Sequence, residues 1–409
     1  MNGILRGLRV IEGSAFVAAP TAGMTLAQMG AEVIRFDPIG GGLDFHRWPV
    51  TDEGRSLYWA GLNKGKKSIA VDLRSPAGRE LLTRLICAPG ESAGIFLTNF
   101  PASGWLSYET LKAGREDLIM LNIMGNRDGG SEVDYTVNPA TGFPHLTGPA
   151  GAAAPVNHVL PAWDIATGLS AVNGMLAAER HRRLTGEGQF LSIALSDVAF
   201  ATLGNLGFIG ESQINRTPRA ATGNDLYGAF GRDFTSRDGR RVMIVAITGR
   251  QWSTLVETAG IGEQVAEIER RRGLDLRREG DRYQATDEIA GLLAPWCAAS
   301  DFADLAATLT AGGVSWGPYR GIAEALAEDW RCSTENPMFQ EVEQPGIGRY
   351  LVPGSPVDFG AAPRETIRPA PRLGEHTDEV LADVLGLSEA EIGAMHDAGT
   401  IAGVKVTEE

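Results

Sequence analysis

The chain has 409 residues, 43% of them hydrophobic and 22% charged, the composition of a soluble globular protein long enough for two or three domains at roughly 150 residues each. Its 51 acidic residues outnumber 37 basic ones, a formal net charge of −14, which argues against nucleic acid as a partner because that footprint is basic. No apolar run approaches the ~20 residues that cross a bilayer, so no membrane partner is expected.

The opening Met1-Asn-Gly-Ile-Leu-Arg-Gly-Leu-Arg9 scatters its charges and runs straight into a strand-like segment, unlike a secretion signal. Leu8 to Glu12 reads as the first strand, ended by Gly13. Pro20 fits the first turn of a helix closing at Gly30. Glu32 to Phe36 and Ser68 to Leu73 read as strands, and Ser75 to Ile86 as a helix. Ile95 to Asn99 and Leu118 to Met124 complete the set. Strand-helix alternation with Val/Ile/Leu-rich strands predicts a parallel sheet covered by helices on both faces, a Rossmann-like α/β large domain.

From Ile165 the apolar residues Leu169, Val172, Met175 and Leu176 recur at helical spacing. Ala166, Gly168, Ala171 and Gly174 give this helix a small-residue face that another backbone could approach. Arg180 to Arg183 complement its C-terminal dipole, and Gly186 suits the position after its end. Phe190 to Leu195 follows as a strand. After about Gly210 the pattern changes to a smaller α+β domain. Leu226 to Phe234 and Val242 to Ile247 flank an Asp238-Gly239 turn, a hairpin signature. Helices are expected around Gln251 to Thr258, Asp287 to Trp296 and Asp301 to Leu309. Pro353 to Pro371 reads as an extended arm. Thr377 to Leu385 and a capping box at Ser388-Glu-Ala-Glu391 return the chain to helix. The expected organisation is a large domain over 1–205, a linker over 206–225, the small domain over 226–315, and 316–409 as linker, arm and return.

Several constellations bear on chemistry. The turn Gly13-Ser-Ala-Phe-Val-Ala-Ala-Pro20 fails the Gly-x-Gly-x-x-Gly dinucleotide fingerprint. Gly40-Gly41-Gly42 is a loop that could lie over a ligand. Lys64-Gly-Lys66-Lys67, with Arg74 at the end of the same strand, is the densest cationic cluster, either a solvated surface or phosphate partners. Six histidines (His46, His145, His158, His181, His376, His396) form no metal-like pair, and no Gly-x-Ser-x-Gly elbow accompanies them. Three cysteines (Cys87, Cys297, Cys332) have neither a disulfide framework nor metal-ligand spacing, which suits a cytoplasmic protein without a metal. Asp164 precedes the small-residue helix. There an aspartate is ordinarily an N-cap, and the helix dipole also favours the ionised carboxylate that attacks a thioester.

The order of Gly7-Leu-Arg-Val-Ile-Glu12, Leu26-Ala-Gln-Met-Gly-Ala-Glu-Val-Ile-Arg35 and Asn63-Lys-Gly-Lys-Lys-Ser-Ile-Ala-Val-Asp-Leu-Arg74 is specific. With Thr98-Asn-Phe100, Leu184-Thr-Gly-Glu-Gly-Gln189 and Pro371-Arg-Leu-Gly-Glu-His-Thr-Asp-Glu379, the chain resembles the class III, formyl-CoA transferase-like, CoA-transferases over nearly its whole length. That resemblance implies an interlocked homodimer, CoA present only within the substrate thioester, no permanent cofactor, and Asp164 as nucleophile. It places CoA contacts at Val17 and Ala18, at Val71, Asp72, Leu73 and Arg74, and at Asn99, Phe100 and Pro101. A second set of stretches is not generic to the family, among them Glu12-Gly-Ser-Ala-Phe-Val-Ala-Ala-Pro20, Asn157-His-Val-Leu-Pro-Ala-Trp-Asp164 and Tyr227-Gly-Ala-Phe-Gly-Arg-Asp233. These resemble a branch that moves CoA between the two carboxyl groups of one unsaturated dicarboxylic acid. Transfer to a separate acceptor acid is the alternative.

The chain departs from better-known relatives at Val17, where they carry glutamine, at Pro38, where an arginine is common, and in a flap reduced to Thr222-Gly223-Asn224. A racemase of the same fold would need a histidine where Val133 stands. A non-catalytic CoA-binding protein is the reading from a different class. Arg47, His145 and Arg232 are candidates for the substrate's distal carboxylate, and backbone N–H groups between Gly13 and Ala19 for oxyanion donors.

Overall fold

The computed structural model describes residues 3–216 and 219–404. Met1 and Asn2 of the opening segment, and 217–218 within the expected linker, lie outside the described residues. The chain divides into two compact units, one formed by 1–141, 159–210 and 330–409, the other by 142–158 and 211–329.

The larger unit is built on six parallel strands: β1 (Arg9–Gly13), β2 (Glu32–Pro38), β3 (Lys67–Val71), β4 (Ile95–Thr98), β5 (Ile119–Met124) and β6 (Gln189–Ala194). Their order is β3-β2-β1-β4-β5-β6, and Ile401–Ala402 adds a short antiparallel edge to β3. β1 to β5 are largely buried runs, as a sheet covered on both faces requires. Ile11, Ile34, Phe36, Ile69, Phe96 and Met120 share one core with Leu81, Leu82 and Leu85 of the helix Pro76–Ile86. Ser75 caps that helix, its hydroxyl accepting from the Gly78 N–H at 3.0 Å.

The helices Ala18–Gln28 and Ala162–Thr185 pack together. Gly168 makes this possible, because a Cβ there would stand 2.5 Å from the Ala18 carbonyl oxygen. The small-residue face read from the sequence thus meets a backbone at its first glycine. Arg182, one of the cations expected at the helix end, is instead buried and donates to the Ala93, Gly94 and Asp117 carbonyls. It ties the helix to the loops before β4 and β5.

The smaller unit carries the expected hairpin, β7 (Phe230–Thr235) and β8 (Arg241–Ala246), extended by β9 (Ser315–Pro318). Its core centres on Phe230, Val242, Ile244, Trp252, Leu255, Ile289 and Leu293. The unit runs to Asp329 and takes in 142–158. The sequence reading ended it at 315, since the alternation in Ser-Trp-Gly-Pro is too short to announce β9. Within the larger unit, a second hairpin at Phe339–Gln344 and Gly348–Pro353 precedes the arm, which has no regular structure over 354–373. Among the described residues, no helix is long and apolar enough to cross a membrane.

Candidate active site

A strand order of 3-2-1-4 reverses direction between β1 and β4. Loops leaving the carboxyl ends of those two strands therefore diverge and open a crevice, where ligands of open α/β sheets bind. A cavity of ≈ 760 Å³ lies there. Ala15, Phe16, Val17 and Ala18 follow β1. Asn99, Phe100 and Pro101 follow β4, while Ile123, Met124 and Gly125 end β5. Asp164, Asp134, Arg47 and Tyr58 also line it. Five of the nine expected CoA contacts thus share one cavity with Asp164. Val71, Asp72, Leu73 and Arg74 do not line it; they turn the chain from β3 into the helix Pro76–Ile86, with the Asp72 carboxylate accepting from the Arg74 N–H at 3.0 Å.

The loop after β1 is held tightly. Asn99 accepts from the Ala15 N–H (2.9 Å) and donates back to the Ala15 carbonyl (2.7 Å). Phe16 has φ +69°, a left-handed conformation costing a non-glycine residue about 1–2 kcal/mol. Its N–H donates to Asp44 Oδ2 at 3.0 Å. Asp44 in turn meets Arg35, whose guanidinium also takes Asp37 at 2.9 Å. β1 and β2 pair Glu12 directly with Arg35, and Lys66 closes the network on Glu12 at 2.8 Å. All five charged residues are buried, so each depends on the others for compensation. Because the Ala15 and Phe16 N–H groups are committed, they cannot serve as the oxyanion donors expected of this loop. The Val17 and Ala18 N–H groups, at the first turn of the helix Ala18–Gln28, have no partner among the described residues.

Two of the three lysines in the cluster are committed to partners within the protein. Lys66 belongs to the network just described, and Lys67 pairs with Glu32 (2.9 Å) and Glu379 (2.8 Å). Lys64 is buried, and burial pushes its ammonium down to about 8.

Asp164 is not the N-cap that its sequence position suggested. The helix begins at Ala162 after Pro161, which puts Asp164 in the first turn. The capping carboxylate belongs to Asp134, the first residue of the helix Asp134–Ala140. Asp134 Oδ2 accepts from the Trp163 N–H (2.7 Å) and the Asp164 N–H (3.2 Å), and one turn on Asn138 accepts from the Trp163 indole at 3.1 Å. Sequence reasoning missed this clamp. Its signal was two polar residues four apart, Asp134 and Asn138, on one helical face.

The Asp164 carboxylate is thus left with no hydrogen-bond or ion-pair partner among the described residues. Burial pushes it up to about 7, the charge of Asp134 adds to this, and Arg47 opposes it. Arg47, the one cation among the described residues lining the cavity, stands over the rings of Phe16 (5.3 Å) and Tyr58 (5.2 Å). Burial pushes the Tyr58 hydroxyl up to about 12, so it stays protonated; its oxygen is buried without a partner. Arg232 is occupied in the smaller unit by Asp225 and Asp287, and His145 is exposed in that unit.

A half-buried, unpartnered carboxylate, amide donors at a helix start and a strand-switch crevice form a set suited to acyl transfer. The sequence profile of CoA-transferase family III matches residues 5–377. The chain belongs to that family. Members similar to it include the 2-methylfumaryl-CoA isomerase of Chloroflexus aurantiacus, 62% identical over 98% of this chain and 99% of that one. The succinate–glutarate CoA-transferase of Agrobacterium fabrum is 30% identical over 93% and 95%. Among solved structures, a CaiB/BaiF family protein from Brucella suis superposes with a TM-score of 0.76 at 26% identity, covering 94% of this chain and all of that one. Among the described residues lining the cavity of this family III member there is no histidine, and exposed Val133 is one of them, so the proton-transfer pair of a racemase is absent among the described residues there.

Proposed function

We propose that this enzyme is an intramolecular CoA-transferase converting 2-methylfumaryl-CoA to 3-methylfumaryl-CoA, with Asp164 as nucleophile. The observation that carries the reading is the unpartnered Asp164 carboxylate in the same cavity as the loops after β1 and β4. Similarity to the Chloroflexus isomerase over nearly the full length of both chains supports the substrate.

The Asp164 carboxylate attacks the C1 thioester carbonyl and expels CoA thiolate, leaving a mixed anhydride. The thiolate attacks the aspartyl carbonyl, which gives an aspartyl-CoA thioester and the free dicarboxylate. The C4 carboxylate of that diacid then attacks the aspartyl thioester, releasing thiolate again and forming a second anhydride. Thiolate attack at C4 yields the product and restores Asp164. Each step exchanges one activated acyl bond for another, so no ATP is consumed.

The Val17 and Ala18 N–H groups, which line the same cavity as Asp164, are the proposed donors to the developing oxyanions. Arg47, held by the Phe16 and Tyr58 rings, is the partner for the diacid's second carboxylate, and the Tyr58 hydroxyl a second donor. The apolar lining, including Phe16, Ile123, Met124 and Leu195, keeps water from the anhydrides while the diacid turns over. Val71 to Arg74 remain proposed contacts for the nucleotide end of CoA. The same reading makes the enzyme an interlocked, cytoplasmic homodimer.

The test is incubation with 2-methylfumaryl-CoA alone, the C1 and C4 thioesters being separated by chromatography and identified by mass. Conversion without added acid, not accelerated by free dicarboxylates, is expected. A requirement for an added acceptor acid would replace this reading with intermolecular transfer.

A further inference from the structure

Asp134 contributes nothing to bond-making in the scheme above, yet its placement is unusual. Its side chain is 1% exposed. One carboxylate oxygen, Oδ2, accepts the Trp163 and Asp164 N–H groups at the positive end of the helix Ala162–Thr185. The other, Oδ1, is buried with no hydrogen-bond partner. A cap needs only one acceptor, and Asn, Ser or Thr supplies it without burying a charge. A buried carboxylate with an orphaned oxygen is a costlier solution that calls for another reason. The carboxylate it faces is Asp164, which lines the same cavity.

We propose that Asp134 is a positioning residue for the reaction: its carboxylate fixes the helix turn that carries Asp164 and, through its negative charge, makes the Asp164 carboxylate a stronger nucleophile. This rests on the reading of Asp164 as nucleophile. The groups facing Asp164 are Asp134 and Tyr135 from one helix, Glu132 ahead of that helix, and Arg47 and Tyr58 from the segment after β2. Arg47 pulls against Asp134, and the two together set how readily Asp164 ionises. A like charge close by disfavours ionisation and raises basicity, and nucleophilicity rises with basicity.

The experiment compares Asp134→Asn, Asp134→Ser and Asp134→Ala with wild type. Asn and Ser retain an acceptor for the two N–H groups while removing the charge; Ala removes both. In all three the acid limb of kcat/KM should move toward lower pH by about one unit, with a lower plateau above pH 8. Only Ala should also lose the helix clamp, seen as a lower melting temperature than Asn or Ser. A folded Asn or Ser variant whose acid limb stays in place would overturn the electrostatic role. A readout independent of turnover is the stability change at pH 8 caused by Asp164→Asn, measured once in the wild-type background and once in the Asp134→Asn background. The stabilisation should shrink when the charge at position 134 is gone, and equal values would overturn the coupling. If Asp164→Asn keeps full activity, the reading of Asp164 as nucleophile fails, whatever Asp134 does.

Discussion

At the scale of single residues, the chemistry asks Asp164 to be reactive, and reactivity costs stability. Its carboxyl is lifted from 3.8 to about 7, first by burial and then by Asp134. The folded state therefore holds this proton more tightly than the unfolded chain. The resulting contribution is fully present below about pH 4 and is lost as pH rises through about 7. A three-unit shift corresponds to about 4 kcal/mol, which partial solvent access reduces to about 1–3 kcal/mol. Asp164→Asn, a neutral isostere, should accordingly unfold at higher denaturant than wild type at pH 8, with the difference shrinking as the pH falls and nearly gone by about pH 4. Equal midpoints at pH 8 would show that the carboxylate is not strained there. Asp164 itself was legible from the sequence because one aspartate precedes a long helix within a recognisable run. Its role as N-cap was misread because the true cap, Asp134, comes from 30 residues earlier in the chain.

At the scale of elements, what was legible follows from how each is stabilised. β1 to β5 announced themselves through largely apolar runs bounded by Gly, Pro and polar residues, since a doubly covered sheet needs such runs. Ser75 and Ser388 marked two helix starts by local capping, and both caps are present. Elements held by tertiary contact were invisible. The helix Asp134–Ala140 is short and polar, contains Pro139, and matters through its grip on Trp163. The lysines at 64–67 looked like a surface or phosphate cluster because nothing local reveals that Lys66 reaches Glu12 across 54 positions. Cross-strand pairing of Glu12 with Arg35 depends on register, which neither strand carries alone. That network then fixes Asp44 and, through it, the Phe16 conformation.

For the whole molecule, the strand order explains why residues from 15 to 195 converge. A parallel sheet sends all its carboxyl-end loops to one edge, and the switch between β1 and β4 leaves space among them. The family-level fold was therefore accessible from the sequence, while the membership of the cavity was not, because it depends on which loops meet. An interlocked dimer predicts a solution mass twice the 43.5 kDa of the chain by light scattering, unchanged on dilution; a monomer mass would remove that part of the proposal. The central claim is that Asp164 becomes transiently acylated. Hydroxylamine added during turnover of 2-methylfumaryl-CoA should convert Asp164 to a hydroxamate, located by mass spectrometry of the peptide and absent without substrate. An unmodified Asp164 peptide during active isomerisation, or isomerisation by a folded Asp164→Asn variant, would contradict it.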